Sequence, residues 1–432
     1  MDKRLRLTIP IQIDFLPVVT NFVEKGSLAF GLGKSESLKL TLATEEIFTY
    51  LSRIARTGEN IEVGCIGGIY YGAVEFSFSK IGFNMRAFNI TARISPESEE
   101  GLEEMGLLIA ARSVDHLQIA EREGERVVLS LIKEKEYPPD SEIGVPDIPY
   151  MASFSIKTPS PEEIKAFVNL LNFHYEKYLF PPAFKISGKV ADMVLSGEYG
   201  VSVAVDHRGL TGGGILWRKR GEKIIECYGP YLFRQENNIK LAESLLDSFL
   251  GKIAKADFTG IFCKYSTAHL SKGYFEPLGT ITFFREDGSS TELSSFYRHL
   301  IEDTGSSVWA SQELRPFLEG EYRRLVLPRE IHLTKYQGEH QDLHSVFTSE
   351  FDRELHEVTL RALWPGKDSL ENLKKHVQIF GEERLPNILF EMDLGIPWQA
   401  DLTSPLLSLG FKPRFIIPYG GSSDLVIFQL PI

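Results

Sequence analysis

Apolar residues recur at helical spacing near the start of the chain. One helix is predicted from Phe15 to about Phe30 and a second from Ser35, with Leu40, Ala43, Ile47, Leu51 and Ile54 on one face. The period then changes to two: in Ala73-Val-Glu-Phe-Ser-Phe-Ser79, Val74, Phe76 and Phe78 share a face, which predicts a strand. A helix from Gly106 to about Val114 and a closing strand over Arg126–Ile132 complete an α+β segment. Pro138, Pro139, Pro146 and Pro149 then forbid helix and predict an extended linker.

The next segment opens on a capping box, with Ser160 as N-cap, Pro161 at the first helical position and Glu163 three residues on, which predicts a helix to about Tyr175. Strands are predicted at Val201–Val205, Gly214–Trp217 and Ile224–Tyr228, a helix at Lys240–Ile253, and a strand at Gly260–Tyr265. The run Gly212–Gly214 reads as a flexible hairpin turn. A polar stretch after Arg285 marks a second boundary. Beyond it, Asn387-Ile-Leu-Phe-Glu-Met followed by Leu409-Gly410 echoes Gly260-Ile-Phe-Cys-Lys-Tyr followed by Leu278-Gly279, as an altered second copy of one fold would. Mixed charges and apolar residues from Gly338 to Arg361 predict a solvated amphipathic helix. The expected organisation is thus 1–134, a linker at 135–150, then 151–285 and 286–432.

Charge removes one class of partner. A formal net charge of −12 argues against a general nucleic-acid surface, which needs clustered cations. No apolar run is long enough to span a membrane, and no signal core follows the basic Met1-Asp-Lys-Arg-Leu-Arg. Cys65, Cys227 and Cys263 lack metal-ligand spacing and cannot all pair, so a reducing cytoplasm is expected. His340 and His344, with Glu350 and His356 beyond, have one metal-like spacing, but Gln341 stands where a metalloprotease helix needs Glu, and no metal is expected.

Leu42-Ala-Thr-Glu-Glu-Ile-Phe-Thr-Tyr50 resembles the core helix of anti-sigma-factor serine kinases and histidine-kinase-type ATPases, in which Glu and an Asn four residues later share one magnesium. Glu46 matches the Glu; Tyr50 replaces the Asn, and a phenol is a poor Mg²⁺ ligand. Aligning Gly82 with the family's glycine-rich turn puts Phe78 at its adenine-binding Asp and Lys80 at its first Gly. Gly106 matches the lid glycine, with Glu103 and Glu104 where phosphate would sit. The resemblance implies an ATPase-like sandwich with nucleotide-type positions Glu46, Gly82 and Gly106; turnover of ATP with magnesium is not expected.

The run Glu222-Lys-Ile-Ile-Glu-Cys-Tyr-Gly-Pro-Tyr-Leu-Phe, a polar loop and Leu241-Ala-Glu-Ser-Leu-Leu resemble the core of GNAT N-acetyltransferases, where loop amides and a helix N-terminus bind the CoA pyrophosphate. Tyr231, Phe233, Arg234, Gln235, Asn237 and Asn238 would line that site. The family's loop glycines are absent: from Arg234 their positions hold Asn237 and Ile239, and from Gln235 they hold Asn238 and Lys240. The family's tyrosine acid, four residues before a Gly-Phe, falls on Phe275 when Gly279 is that glycine, with Tyr274 one residue earlier; in the echo it falls on Leu406. Glu226 and His269 are the bases on offer. The resemblance implies two GNAT-like domains with mixed sheets and acetyl-CoA or CoA as ligand. Since both scaffolds lack the side chains of their chemistry, a cytoplasmic regulator with a protein partner in bacterial signalling is expected; the alternative is transfer of an acetyl group from acetyl-CoA to an amine.

Overall fold

A computed structural model describes residues 3–79, 86–92, 99–122, 126–139, 147–235, 238–270, 272–334 and 342–431. The chain divides into two units, Met1–Pro138 with Leu343–Thr348, and Pro139–Asp342 with Ser349–Ile432.

The first unit carries β1 (Lys3–Pro10), α1 (Leu16–Ala29), α2 (Lys34–Ile54), β2 (Asn60–Gly67), β3 (Tyr71–Ser79), α3 (Glu99–Ser113), β4 (His116–Arg122) and β5 (Arg126–Glu134). Its strands form an antiparallel sheet in the order β1-β2-β3-β5-β4. The predicted stripe of α2 is buried at Leu40, Ala43, Ile47 and Leu51, and Val74, Phe76 and Phe78 are buried on one face of β3. Burying such side chains stabilises by roughly 1.5–3 kcal/mol each. The helix expected to begin at Gly106 begins at Glu99, which places Gly106 in its interior.

The second unit opens with β6 (Ser155–Lys157), α4 (Pro161–His174), α5 (Ser187–Leu195), β7 (Tyr199–Val205), β8 (Thr211–Arg220), β9 (Ile224–Leu232), α6 (Ile239–Ile253), β10 (Gly260–Cys263), β11 (Glu276–Phe284) and β12 (Ser290–His299). The capping box of α4 is formed as predicted: the Glu163 N–H donates to Ser160 Oγ (3.5 Å) and the Ser160 N–H to Glu163 Oε2 (2.9 Å). The sheet order is β11-β12-β10-β9-β8-β7-β6, with β9 and β10 parallel. A parallel pair, β13 (Ser306–Ala310) and β14 (Arg329–Leu333), flanks α7 (Arg315–Arg324). Then come β15 (Val346–Asp352), whose residues up to Thr348 are counted with the first unit, β16 (Glu357–Trp364), α8 (Ser369–Glu382), β17 (Asn387–Asp393), α9 (Pro397–Ala400), α10 (Thr403–Ser408), β18 (Lys412–Ile417) and β19 (Leu425–Leu430), in the order β15-β16-β17-β19-β18.

The strand order exposes the echo. Strand β9, helix α6, parallel strand β10 and hairpin β11–β12 match β16, α8, parallel β17 and β18–β19 in order, and both hairpins carry a bulge after a proline, Pro277 and Pro413. The two Leu-Gly pairs are not equivalent: Gly279 lies inside β11, whereas Gly410 turns the chain at φ +94° before β18.

Two local expectations fail. Of the amphipathic helix expected over Gly338–Arg361, residues 338–341, His340 among them, lie outside the described residues, and from Val346 the chain is instead β15 and most of β16, where Val358, Leu360, Ala362 and Trp364 are buried at a period of two. The glycines Gly212–Gly214 lie inside β8 rather than in a turn. A Cβ on Gly212 would meet Met151 Sδ at 2.4 Å, and one on Gly214 would meet the Phe167 ring at 2.5 Å, so they admit close neighbours.

The outer edge of β11 is covered. The Thr282 N–H donates to Gln429 Oε1 (3.1 Å) and Gln429 Nε2 to Thr282 O (2.6 Å), while the Phe284 N–H donates to Asn387 Oδ1 (2.9 Å) and Asn387 Nδ2 to Phe284 O (2.9 Å). Side-chain amides thus stand in for a neighbouring strand at Thr282 and Phe284, which leaves less of the edge open to another chain.

Candidate functional site

In the first unit, Glu46 on α2 and Gly106 on α3 are brought together: a Cβ on Gly106 would meet Glu46 Oε2 at 2.5 Å. Burial, then the neighbouring Glu45, pushes the Glu46 carboxyl above its usual range. Tyr50 is buried one turn further along α2, and Phe78 is buried on β3. Gly82, with Lys80, lies outside the described residues, as do the side chains of Glu103 and Glu104 on α3.

In the second unit the candidates gather around a fork. Strands β9 and β10 pair only over Ile224–Glu226 with Gly260–Phe262; β10 ends at Cys263 while β9 continues to Leu232. An extended ligand with amides, such as the pantetheine arm of CoA, would need the freed backbone groups of β9. The chain's own side chains hold them. Pro230 has no N–H to offer, and its carbonyl accepts from the Thr267 hydroxyl (2.7 Å). The Leu232 N–H donates to Tyr175 Oη (2.7 Å), and that hydroxyl donates to Leu232 O (3.1 Å). Neither Tyr175 nor Thr267 was legible as part of the site, since both come from segments outside the strand–loop–helix pattern.

The loop after β9 is occupied in the same way. Arg234, in the left-handed region at φ 53°, pairs with Asp147. Gln235 is buried, donating to Pro149 O (2.8 Å) and accepting from the Met151 N–H (2.8 Å). Asn238 caps α6 by accepting from the Leu241 N–H (3.2 Å), and its Nδ2 donates to Met151 O (3.0 Å). The predicted CoA-loop residues Arg234, Gln235 and Asn238 are therefore brought together, but around residues 147–151 of the chain itself. Tyr231 and Phe233 are fully buried, with the Tyr231 hydroxyl donating to Leu179 O (2.7 Å). Asn237 lies outside the described residues.

Glu226, buried on β9, is the inner end of a ladder of ions that reaches solvent at Arg361 and Glu350. Its Oε2 accepts from Arg218 Nε (3.0 Å) and Nη2 (2.9 Å), and Arg220 Nη1 lies 3.6 Å from Oε1. Arg220 also donates to Glu391 (3.2 Å), and Arg361 donates to Glu391 (2.6 Å) and Glu350 (2.7 Å). Burial raises the Glu226 carboxyl, but Arg218 and Arg220 outweigh it and hold the group below its usual range. So paired, it suits charge compensation better than proton abstraction. Tyr274 is half-exposed in a 3-10 turn before β11, with the Arg298 guanidinium 5.1 Å from its ring centre. Phe275 is buried, His269 lies on the turn after β10, and Leu406 is buried in α10. Among the described residues, no cluster of His, Cys, Asp or Glu could hold a metal ion.

Next to the fork lies an open cleft of about 880 Å³, lined by Phe173, Tyr175, Tyr178, Phe283, Arg285 and Arg384 among others. Tyr175 borders both. Phe173 is 63% exposed, unusual for a phenylalanine.

No family model and no curated protein matches the chain. Solved structures do. The chain is similar to a putative acetyltransferase from Acinetobacter baylyi ADP1 (12% identity, 34% of this chain and 93% of that one, TM-score 0.29). It is similar to a GNAT-superfamily phosphinothricin acetyltransferase from Sinorhizobium meliloti in complex with AcCoA (17% identity, 35% and 90%, TM-score 0.29). It is also similar to an aminoglycoside 6'-N-acetyltransferase complexed with coenzyme A (11% identity, 34% and 98%, TM-score 0.27). These neighbours are GNAT acetyltransferases matched over about a third of the chain, a likeness that says nothing of activity.

Proposed function

We propose that the second unit is a pair of GNAT-like scaffolds used for binding and regulation rather than for acyl transfer. The observation that carries this reading is the closed edge of β9, where Pro230, Thr267 and Tyr175 take the positions an acyl-CoA arm would need. The open cleft beside it, with aromatic walls and both Arg285 and Glu286, is the place for a small ligand or peptide of mixed polarity. In the same reading the first unit is an ATPase-type scaffold that contacts a protein partner in bacterial signalling, a reading supported by the buried phenol of Tyr50, which stands four residues after Glu46 where the resemblance implies an Asn. Fold alone decides no activity.

The second reading is acetyl transfer to an amine, favoured by the fork itself, where parallel β9 and β10 part just before a loop and helix α6. A thermal-shift panel separates the two. A ligand at 100 times its dissociation constant stabilises by about 2.7 kcal/mol. The regulatory reading expects no shift with acetyl-CoA or CoA and no thiol release with amines. An acetyl-CoA shift accompanied by thiol release establishes the transferase instead.

A further inference from the structure

Cys227 and Cys263 stand where β9 and β10 part. The strands are in parallel register at Glu226 and Phe262, so the next residue of each is Cys227 and Cys263, side by side. Both are fully buried, their sulfurs lie 2.6 Å apart, and the Cys263 thiol points at Cys227 O (3.4 Å). Two unbonded sulfurs in van der Waals contact would keep roughly the spacing of other heavy-atom contacts, about 3.5–4.0 Å. Cys65, the remaining cysteine, is buried on β2 of the other unit.

We propose that Cys227 and Cys263 form a disulfide that fastens β9 to β10 at the fork. The bond is made by exchange with a small disulfide such as oxidised glutathione. The thiolate of one cysteine attacks it, releasing one glutathione; the thiolate of the other then displaces the second, closing the S–S bond. Two protein thiols are oxidised, one glutathione disulfide is reduced to two thiols, and the protein's two protons pass to the departing thiolates. Burial pushes the Cys227 thiol well above its usual range, so exchange proceeds during folding or through transient opening of the strands. In a reducing cytoplasm the pair stays open, and closure marks an oxidising shift. This inference does not depend on the regulatory reading.

The test uses the full chain, unfolded and refolded in reduced or in oxidised glutathione; the folded fraction is denatured, alkylated and mapped by mass spectrometry. The expected result is three alkylated cysteines after the reduced buffer, and a peptide linking Cys227 to Cys263 after the oxidised one. Cys65→Ser removes the competing thiol and should still give the link; if that variant does not fold, the wild-type map decides. Absence of the link from oxidised, folded protein overturns the proposal, and so does a bridge involving Cys65.

Discussion

Replacing Tyr175 by Phe removes one oxygen and leaves the ring in place. That oxygen serves both polar groups of Leu232, at 2.7 and 3.1 Å. Leaving a buried backbone group unpaired costs about 1–3 kcal/mol. Tyr175 also lines the open cleft, so water can reach the vacated position and hold the total near the low end, about 1–2 kcal/mol. The measurement is unusually clean, because Trp217, Trp309, Trp364 and Trp398 all belong to the second unit. Urea unfolding followed by tryptophan fluorescence therefore reports that unit alone. Tyr178→Phe is the control: among the described residues its hydroxyl meets Arg285 Nη2, at 3.3 Å, and its loss should cost less than about 0.5 kcal/mol. Tyr175→Phe, and not the control, should also gain weak stabilisation by CoA, since only there do the Leu232 groups lose their side-chain partner. Equal stabilities for the two variants would refute the account of a sealed β9 edge.

Three further outcomes follow from the packing. Gly214→Ala should cost about 1–3 kcal/mol in the same urea assay, because its Cβ meets a rigid ring and Ser202 O (3.0 Å); a neutral result would restore the flexible-turn reading. Glu391→Gln should cost about 1–3 kcal/mol, because half-buried Arg220 and the more exposed Arg361 lose their shared anion but keep Glu226 and Glu350; a loss under about 0.5 kcal/mol would show the ladder to be screened by solvent. His376 on α8 is fully buried, and burial lowers its pKa from 6.5 to about 4. A lowered folded value means that stability is complete above pH 6.5 and is lost as pH falls toward 4, by about 3 kcal/mol at most. A pH series of urea midpoints should show that slope in the wild type and lose it in His376→Gln.

Periodicity was enough for the elements whose apolar spacing is regular. The buried stripe of α2, the capping box of α4 and the alternation of β3 follow from local sequence. Strand β1 was not legible, because Lys3, Arg4 and Arg6 on an outer strand hide its period. The segment read as a helix up to Arg361 failed for a related reason: its charges, such as Arg361 paired with Glu350 and Glu391, sit between the buried Val358, Leu360 and Ala362 of a strand and hide that period. The loop read as family-like runs between β9 and α6, yet what fills it was invisible. Asp147 and Pro149 come from the segment read only as a linker and Met151 from the residue just after it, and Tyr175 and Thr267 are tens of residues from the carbonyls they meet. A motif reports which groups a chain could present to a ligand, whereas contacts distant in sequence decide whether those groups are free. Here Arg234, Gln235, Asn238 and the β9 edge are all engaged within the chain, which is why the missing glycines of the loop and its occupied state point the same way.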